Sequence, residues 1–357
     1  MNFNNITPLQ KSEVSKDDSI KVIRVVAMLM IVGCHISSYV GCTVLGLALD
    51  VGVQIFLFIS GWLYSEKKID NNISWLVRKW VNLCIPAYIW AFVMYLVSHT
   101  WGRQKKGDVW LYFLTHFFNL QGWNKVFTGY PLKWVKCISG CGHMWFLTAL
   151  MLCYFLMLIW KKMYDQRSIS GMQERRFRWW YCMLGAVCVC AGGYIGICFE
   201  WFYIYFLGYF LRRSWKEVTQ RQYLFLSTLM VAAMVVRLVG REYLDDTVYY
   251  DGMIVFLTHN ILAIWIVATI RFCDERTQIV KQLADLKSIN WFDAYSYEIY
   301  IVHFGILEIC SMLNMQNTIL EMIIFLWMSM ACAILLKKSS NIIVNAVRRL
   351  YSVEHHN

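Results

Sequence analysis

Arg24 and His35 are the residues of this chain best placed to do chemistry together. They bracket an apolar run, RVVAMLMIVGCH, with a permanent cation at one end and an imidazole eleven residues on. At about 100° per residue, eleven steps close three turns with roughly 20° to spare. Both side chains therefore share one face of a helix, about 16 Å apart along its axis. Imidazole exchanges protons near neutral pH and can carry an acyl group. Guanidinium offers a fixed fork of donors to phosphate or carboxylate. Each has a plainer explanation alone: a cation at the inner end of a membrane helix snorkels, and an imidazole can bond one helix to another. As a pair on one face they point to function, because ionisable groups inside a membrane are costly.

Other reactive side chains are scattered along the chain. Asp50 and Gln54 lie one helical turn apart ahead of Ser60-Gly61. No G-x-S-x-G surrounds Ser60, so packing is its better reading. Trp75, Arg78, Lys79 and Pro86 make a cationic approach to a third apolar segment, suited to a phosphate-bearing donor or simply to interfacial charge. His143-Met-Trp-Phe-Leu147 opens a fourth segment, with Trp145 inside it. Glu200 sits at a turn and His259 within an eighth segment. Glu298, Tyr300 and His303 lie in SYEIYIVH, and Glu308 follows. Buried carboxylates and imidazoles in membranes usually pair, but which of these pair cannot be read along the chain.

The elements that must position these residues are membrane helices. The 357 residues are 59% hydrophobic and only 16% charged, with a mean hydropathy of +0.45. Soluble domains carry about 25% charged residues. Ten spanning segments are expected, near 20–41, 51–65, 80–98, 144–160, 179–197, 199–211, 223–240, 253–270, 291–311 and 319–336. The second and sixth are short against the 20 or so residues a bilayer requires. No cleavable signal peptide is evident. Residues 1–19 read as a cytoplasmic N-terminal segment, 20–336 as the membrane domain, and 337–357 as a cytoplasmic C-terminal tail.

Loop charge gives the orientation. Segments that would share a side with the N-terminus hold 26 of the 34 lysines and arginines. By the positive-inside rule both termini are cytoplasmic. A reporter fused after Asn357 is expected to read cytoplasmic, and an extracytoplasmic reading would overturn the orientation. The net charge of +11 is thus explained without a nucleic-acid partner. Residues 99–143 form one long extracytoplasmic loop in which tryptophans and tyrosines alternate with lysines. That mixture suits sugar faces and anionic groups, or an interfacial aromatic belt. Most of the thirteen cysteines lie in apolar runs, and no paired CxxC spacing implies a metal.

Taken in order, four stretches resemble the acyltransferase-3 family of multi-pass membrane acyltransferases. They are Arg24-x10-His35, VGVQIFLFISGWLY at 51–64, HMWFL at 143–147 and SYEIYIVH at 296–303. WLVRK…P at 75–86 is similar to the family's basic approach to its third helix. The resemblance implies an all-α polytopic fold of about ten transmembrane helices in the cell membrane. It also implies transfer of an acyl group, usually acetyl, from cytoplasmic acyl-CoA to a hydroxyl of a cell-envelope glycan or similar acceptor. His35 and Arg24 take the motif positions. His35 would act as general base or as a transient acyl carrier, and Arg24, Arg78 and Lys79 would face the anionic donor. His143, Trp145, Glu298, Tyr300 and His303 would line the acceptor side. Fused family members carry an SGNH domain, and none follows residue 357. Either transfer is completed here, or a separate extracytoplasmic transferase takes over. The main rival class is a transporter, flippase or polymerase of lipid-linked glycans. A membrane-embedded sensing module is a third.

Overall fold

The computed structural model describes residues 18–102, 109–165, most of 180–212, 217–244, 250–313 and 318–354. Lys105, Lys106 and parts of the expected fifth segment lie outside the described residues. The helices are α1 (Asp18–Tyr39), α2 (Thr43–Leu49), α3 (Gly52–Ser65), α4 (Asn72–Thr100), α5 (Val109–Phe117), α6 (Trp123–Val126), α7 (Trp145–Asp165), α8 (Glu200–Leu211), α9 (Gln220–Leu244), α10 (Phe256–Arg276), α11 (Ile279–Asp285), α12 (Lys287–Leu313) and α13 (Thr318–Glu354). A 3-10 turn, Gly142–Met144, leads into α7. A π-helical turn, Tyr250–Val255, leads into α10. The described residues contain no strand.

Eight helices among the described residues are long and apolar enough to cross a membrane. The protein is therefore an all-α polytopic membrane protein. The expected second segment gains length by starting at Thr43, because 43–49 is helical rather than a loop. It breaks at Asp50 and Val51, where φ/ψ leave the helical region. The expected sixth segment is α8, only 12 residues long. Described residues of the expected fifth, between Trp180 and Ile195, are helical.

Bilayer residence explains an inverted surface. Leu224, Phe225, Val231, Val235 and Val239 of α9 are exposed, as are Ile319, Ile323 and Trp327 of α13. Apolar faces this large suit hydrocarbon rather than water. Inside, α3 and α8 touch backbone to backbone. A Cβ on Gly61 would lie 1.9 Å from the Tyr205 carbonyl oxygen, and one on Gly208 would lie 2.0 Å from that of Phe58. Glycine permits the approach, as small residues do between membrane helices. Gly61→Val is expected to cost about 3 kcal/mol or more, read as lost monodisperse protein on size-exclusion chromatography. An unchanged profile would contradict this packing.

Loops expected to share a side do meet at one end. Lys161 at the end of α7 donates to the carbonyls of Ser65 and Lys67 at 3.2 and 2.7 Å. Arg212 after α8 reaches Glu66 at 3.3 Å, and Arg271 near the end of α10 reaches Ser19 at the start of α1 at 3.1 Å. At the other end, residues 109–143 fold as a cap. Gly122 N–H donates to Thr148 Oγ1 at 2.9 Å, and Tyr95 packs on Phe113 at 5.1 Å between centroids. Burial holds the His116 imidazole of α5 down at about 4, so it stays neutral and accepts from the Ile138 N–H. Trp110, Leu114 and Phe117 remain exposed on α5, as an interfacial helix requires.

Candidate active site

The site is organised by α1 and α12. Lys21 Nζ donates to Asn290 Oδ1 at 2.9 Å. Arg24 Nε and Nη2 donate to the two oxygens of Asp293 at 2.8 and 2.9 Å, a fork-on-fork ion pair. His35 then meets Phe304, edge to face, with centroids 5.0 Å apart. Each pair is separated by 269 positions. A constant positive offset means that the helices run parallel and in step. The face shared by Arg24 and His35 is thus the face that α12 covers.

Below this seam lies a cleft of about 350 Å³. Arg24, Asp293, Glu298, Lys337, Tyr300 and Phe146 are among its lining residues. Its polar groups cluster at the Arg24 end of the helix pair. Lys337 of α13 stands 3.5 Å from Glu298 and also donates to the Ala294 carbonyl. The Arg24 side chain stays 39% exposed despite its bond to Asp293, so it can still meet an anion. Tyr64 and Tyr154, edge to face at 5.4 Å, form part of an aromatic wall.

Three turns further along, three imidazoles converge. The His35 ring lies 5.2 Å from His303, and His303 lies 4.9 Å from His143. Phe304 packs against both His35 and His143. Local backbone fixes two of the three tautomers. His303 Nδ1 is 2.7 Å from the Tyr300 carbonyl, and His143 Nε2 is 3.0 Å from that of Ile301. A carbonyl only accepts, so these nitrogens carry the protons, which leaves His303 Nε2 and His143 Nδ1 as buried acceptors without partners. His35 is half-buried and makes no hydrogen bond among the described residues. Tyr300 joins cleft and cluster: its ring lines the cleft, and its hydroxyl donates to the His143 carbonyl at 2.6 Å.

The candidate residues read from sequence divide accordingly. His35, His143, Tyr300 and His303 come together, and Arg24 and Glu298 share the cleft. Lys79 lies 4.8 Å over the ring of cleft-lining Tyr64. Arg78 is exposed and bonds the Ser74 carbonyl of its own helix. Trp145 pairs with Trp201 at 4.5 Å and does not line the cleft; its neighbour Phe146 does. Asp293, Lys337 and Phe304 were missed. Asp293 carried a faint signal, since it precedes His303 by ten residues, much as Arg24 precedes His35 by eleven.

Neither a curated protein nor a solved structure matches the chain. A family model described as an acyltransferase domain matches residues 17–338, which contain every group just described. A match over that span leaves one conclusion: the chain belongs to the acyltransferase-3 family.

Proposed function

We propose that this membrane acyltransferase moves an acyl group, acetyl by preference, from cytoplasmic acyl-CoA to a hydroxyl of a cell-envelope glycan. One observation carries the reading. A single pair of parallel helices holds a half-exposed cation in a cleft and, three turns on, an unpartnered imidazole. A pantetheine arm is long and thin enough to bridge the 16 Å or so between them. Arg24 and Lys337 supply cations for the anionic donor, with Lys79 beside the cleft wall.

His35 supplies the basic lone pair. As general base it takes the acceptor proton while the acceptor oxygen attacks the thioester carbonyl; the C–S bond breaks and CoA leaves as thiolate. As acyl carrier its nitrogen attacks first, and the acceptor hydroxyl then displaces the imidazole. On both routes the acceptor proton ends on His35. The bare Nε2 of His303 next to it offers an acceptor for the resulting N–H. Family membership removes the ground for the rival transporter, flippase or polymerase reading, which rested only on intramembrane charge.

Mass spectrometry of envelope polymers from cells with and without the gene tests this proposal. Gene-dependent O-acyl groups are expected, and identical acylation in both would overturn it.

A further inference from the structure

A second polar cluster lies beside His35 and takes no part in the acyl-transfer scheme. Gln54 Nε2 donates to Glu200 Oε1 at 2.9 Å and lies 3.3 Å from His259 Nδ1. An amide nitrogen only donates, so His259 Nδ1 accepts and its Nε2 carries the proton. That Nε2 points toward Asp50 at 3.7 Å, too long for a hydrogen bond. Arg237 of α9 is 1% exposed; the Tyr250 hydroxyl stands near it as a weak partner, but none of its three guanidinium nitrogens makes a hydrogen bond of full geometry. The second oxygen of Glu200 is also unbonded. Glu200 and His259 meet at the Gln54 amide of α3, and Arg237 lies within electrostatic range of both, so α8, α9 and α10 bring unpaired polar atoms to one region.

Such groups are rare inside proteins, and each calls for an explanation. In a membrane they usually mark a substrate path. The set is mixed: Arg237 and His259 Nε2 donate, while Glu200 Oε2 accepts. A simple anion would satisfy only the donors. Vicinal hydroxyls, each both donor and acceptor, answer both kinds.

Placement supplies the second argument. Asp50 sits where the second membrane helix is broken, and its side chain is 60% exposed. Broken backbone at membrane depth is tolerated where it is buried in protein or lines a polar cavity. Asp50 lies within hydrogen-bonding reach of Cys34, the residue before His35 on α1, so the open edge of the cluster meets the histidine helix. We infer that Gln54, Glu200, Arg237 and His259 form the subsite for the hydroxyl-bearing edge of a pyranose acceptor, with Asp50 at its open edge. The inference rests on the acyl-transfer reading and gives its acceptor a place.

The test uses the purified full-length protein and its thermal unfolding midpoint. The probes are methyl glucoside, methyl galactoside, methyl N-acetylglucosaminide and acetyl-CoA. Sorbitol at matched concentration corrects for the general stabilisation by excluded polyols. At least one glycoside is expected to raise the midpoint above sorbitol. That increment should vanish in Glu200→Gln and Arg237→Lys, while the acetyl-CoA increment survives. His259→Phe replaces either variant that does not fold. The subsite is overturned if no glycoside exceeds sorbitol in the wild type, or if the increment persists in the variants. Loss of only the acetyl-CoA increment in the wild type would instead sink the donor reading and leave the subsite standing.

Discussion

His35→Ala protein is expected to reach the membrane at wild-type abundance and to transfer acyl groups at least about 100-fold more slowly. The two halves of this expectation have separate origins. The ring is half-buried and has no hydrogen bond among the described residues, so truncation forfeits chiefly its packing against His303 and Phe304. A loss of about 1 kcal/mol is typical for such a change. Chemistry loses the only lone pair that both routes use. Quantitative blotting of membranes beside mass spectrometry of the acceptor makes the comparison. Wild-type acylation at wild-type abundance would remove His35 from the mechanism. Rapid quenching with radiolabelled acyl-CoA separates the two routes, because only an acyl carrier leaves label on His35 before acceptor is added.

Arg24 carries the second large effect. Arg24→Lys keeps the charge but loses the fork that holds both oxygens of Asp293. Hydrogen bonds to charged groups are worth about 1.5–3 kcal/mol, so donor affinity is expected to fall by roughly 10- to 100-fold. Asp293→Asn keeps the shape of the partner and is expected to weaken donor binding less, since Arg24 itself remains. The reversed pair, Arg24→Asp with Asp293→Arg, restores the bond between α1 and α12 while moving the cation. It is expected to recover abundance without recovering acylation. Recovery of both would show that the pair only holds the helices together.

Much of this arrangement was legible in the chain, and the reasons are physical. The shared face of Arg24 and His35 follows from the helical period alone. The meeting of Lys161, Arg212 and Arg271 at one end follows from loop charge. Asp293 was not legible, because a carboxylate in the first turns of a helix reads as a complement to the helix dipole. Its value arises only because α12 lies parallel to α1 at a fixed offset. Trp145 and Phe146 are adjacent, and about 100° of rotation separates wall from packing. Arg78 stands in a motif, yet local sequence cannot distinguish a ligand from an interfacial cation, and its side chain is exposed. The stretch 43–49 falls between the expected segments 20–41 and 51–65, with Gly41 and Cys42 before it and Gly46 within it. The convergence of three imidazoles from α1, α12 and the turn before α7 is purely tertiary.

The fixed offset of 269 between α1 and α12 carries a mechanical consequence. Teeth spaced alike on two rods either all engage or all miss. If α1 slid or turned against α12, Asp293 would let go of Arg24 in the same movement that parted Phe304 from His35. The Arg24 end and the His35 end are therefore geared together, and disturbance at either should be felt at the other.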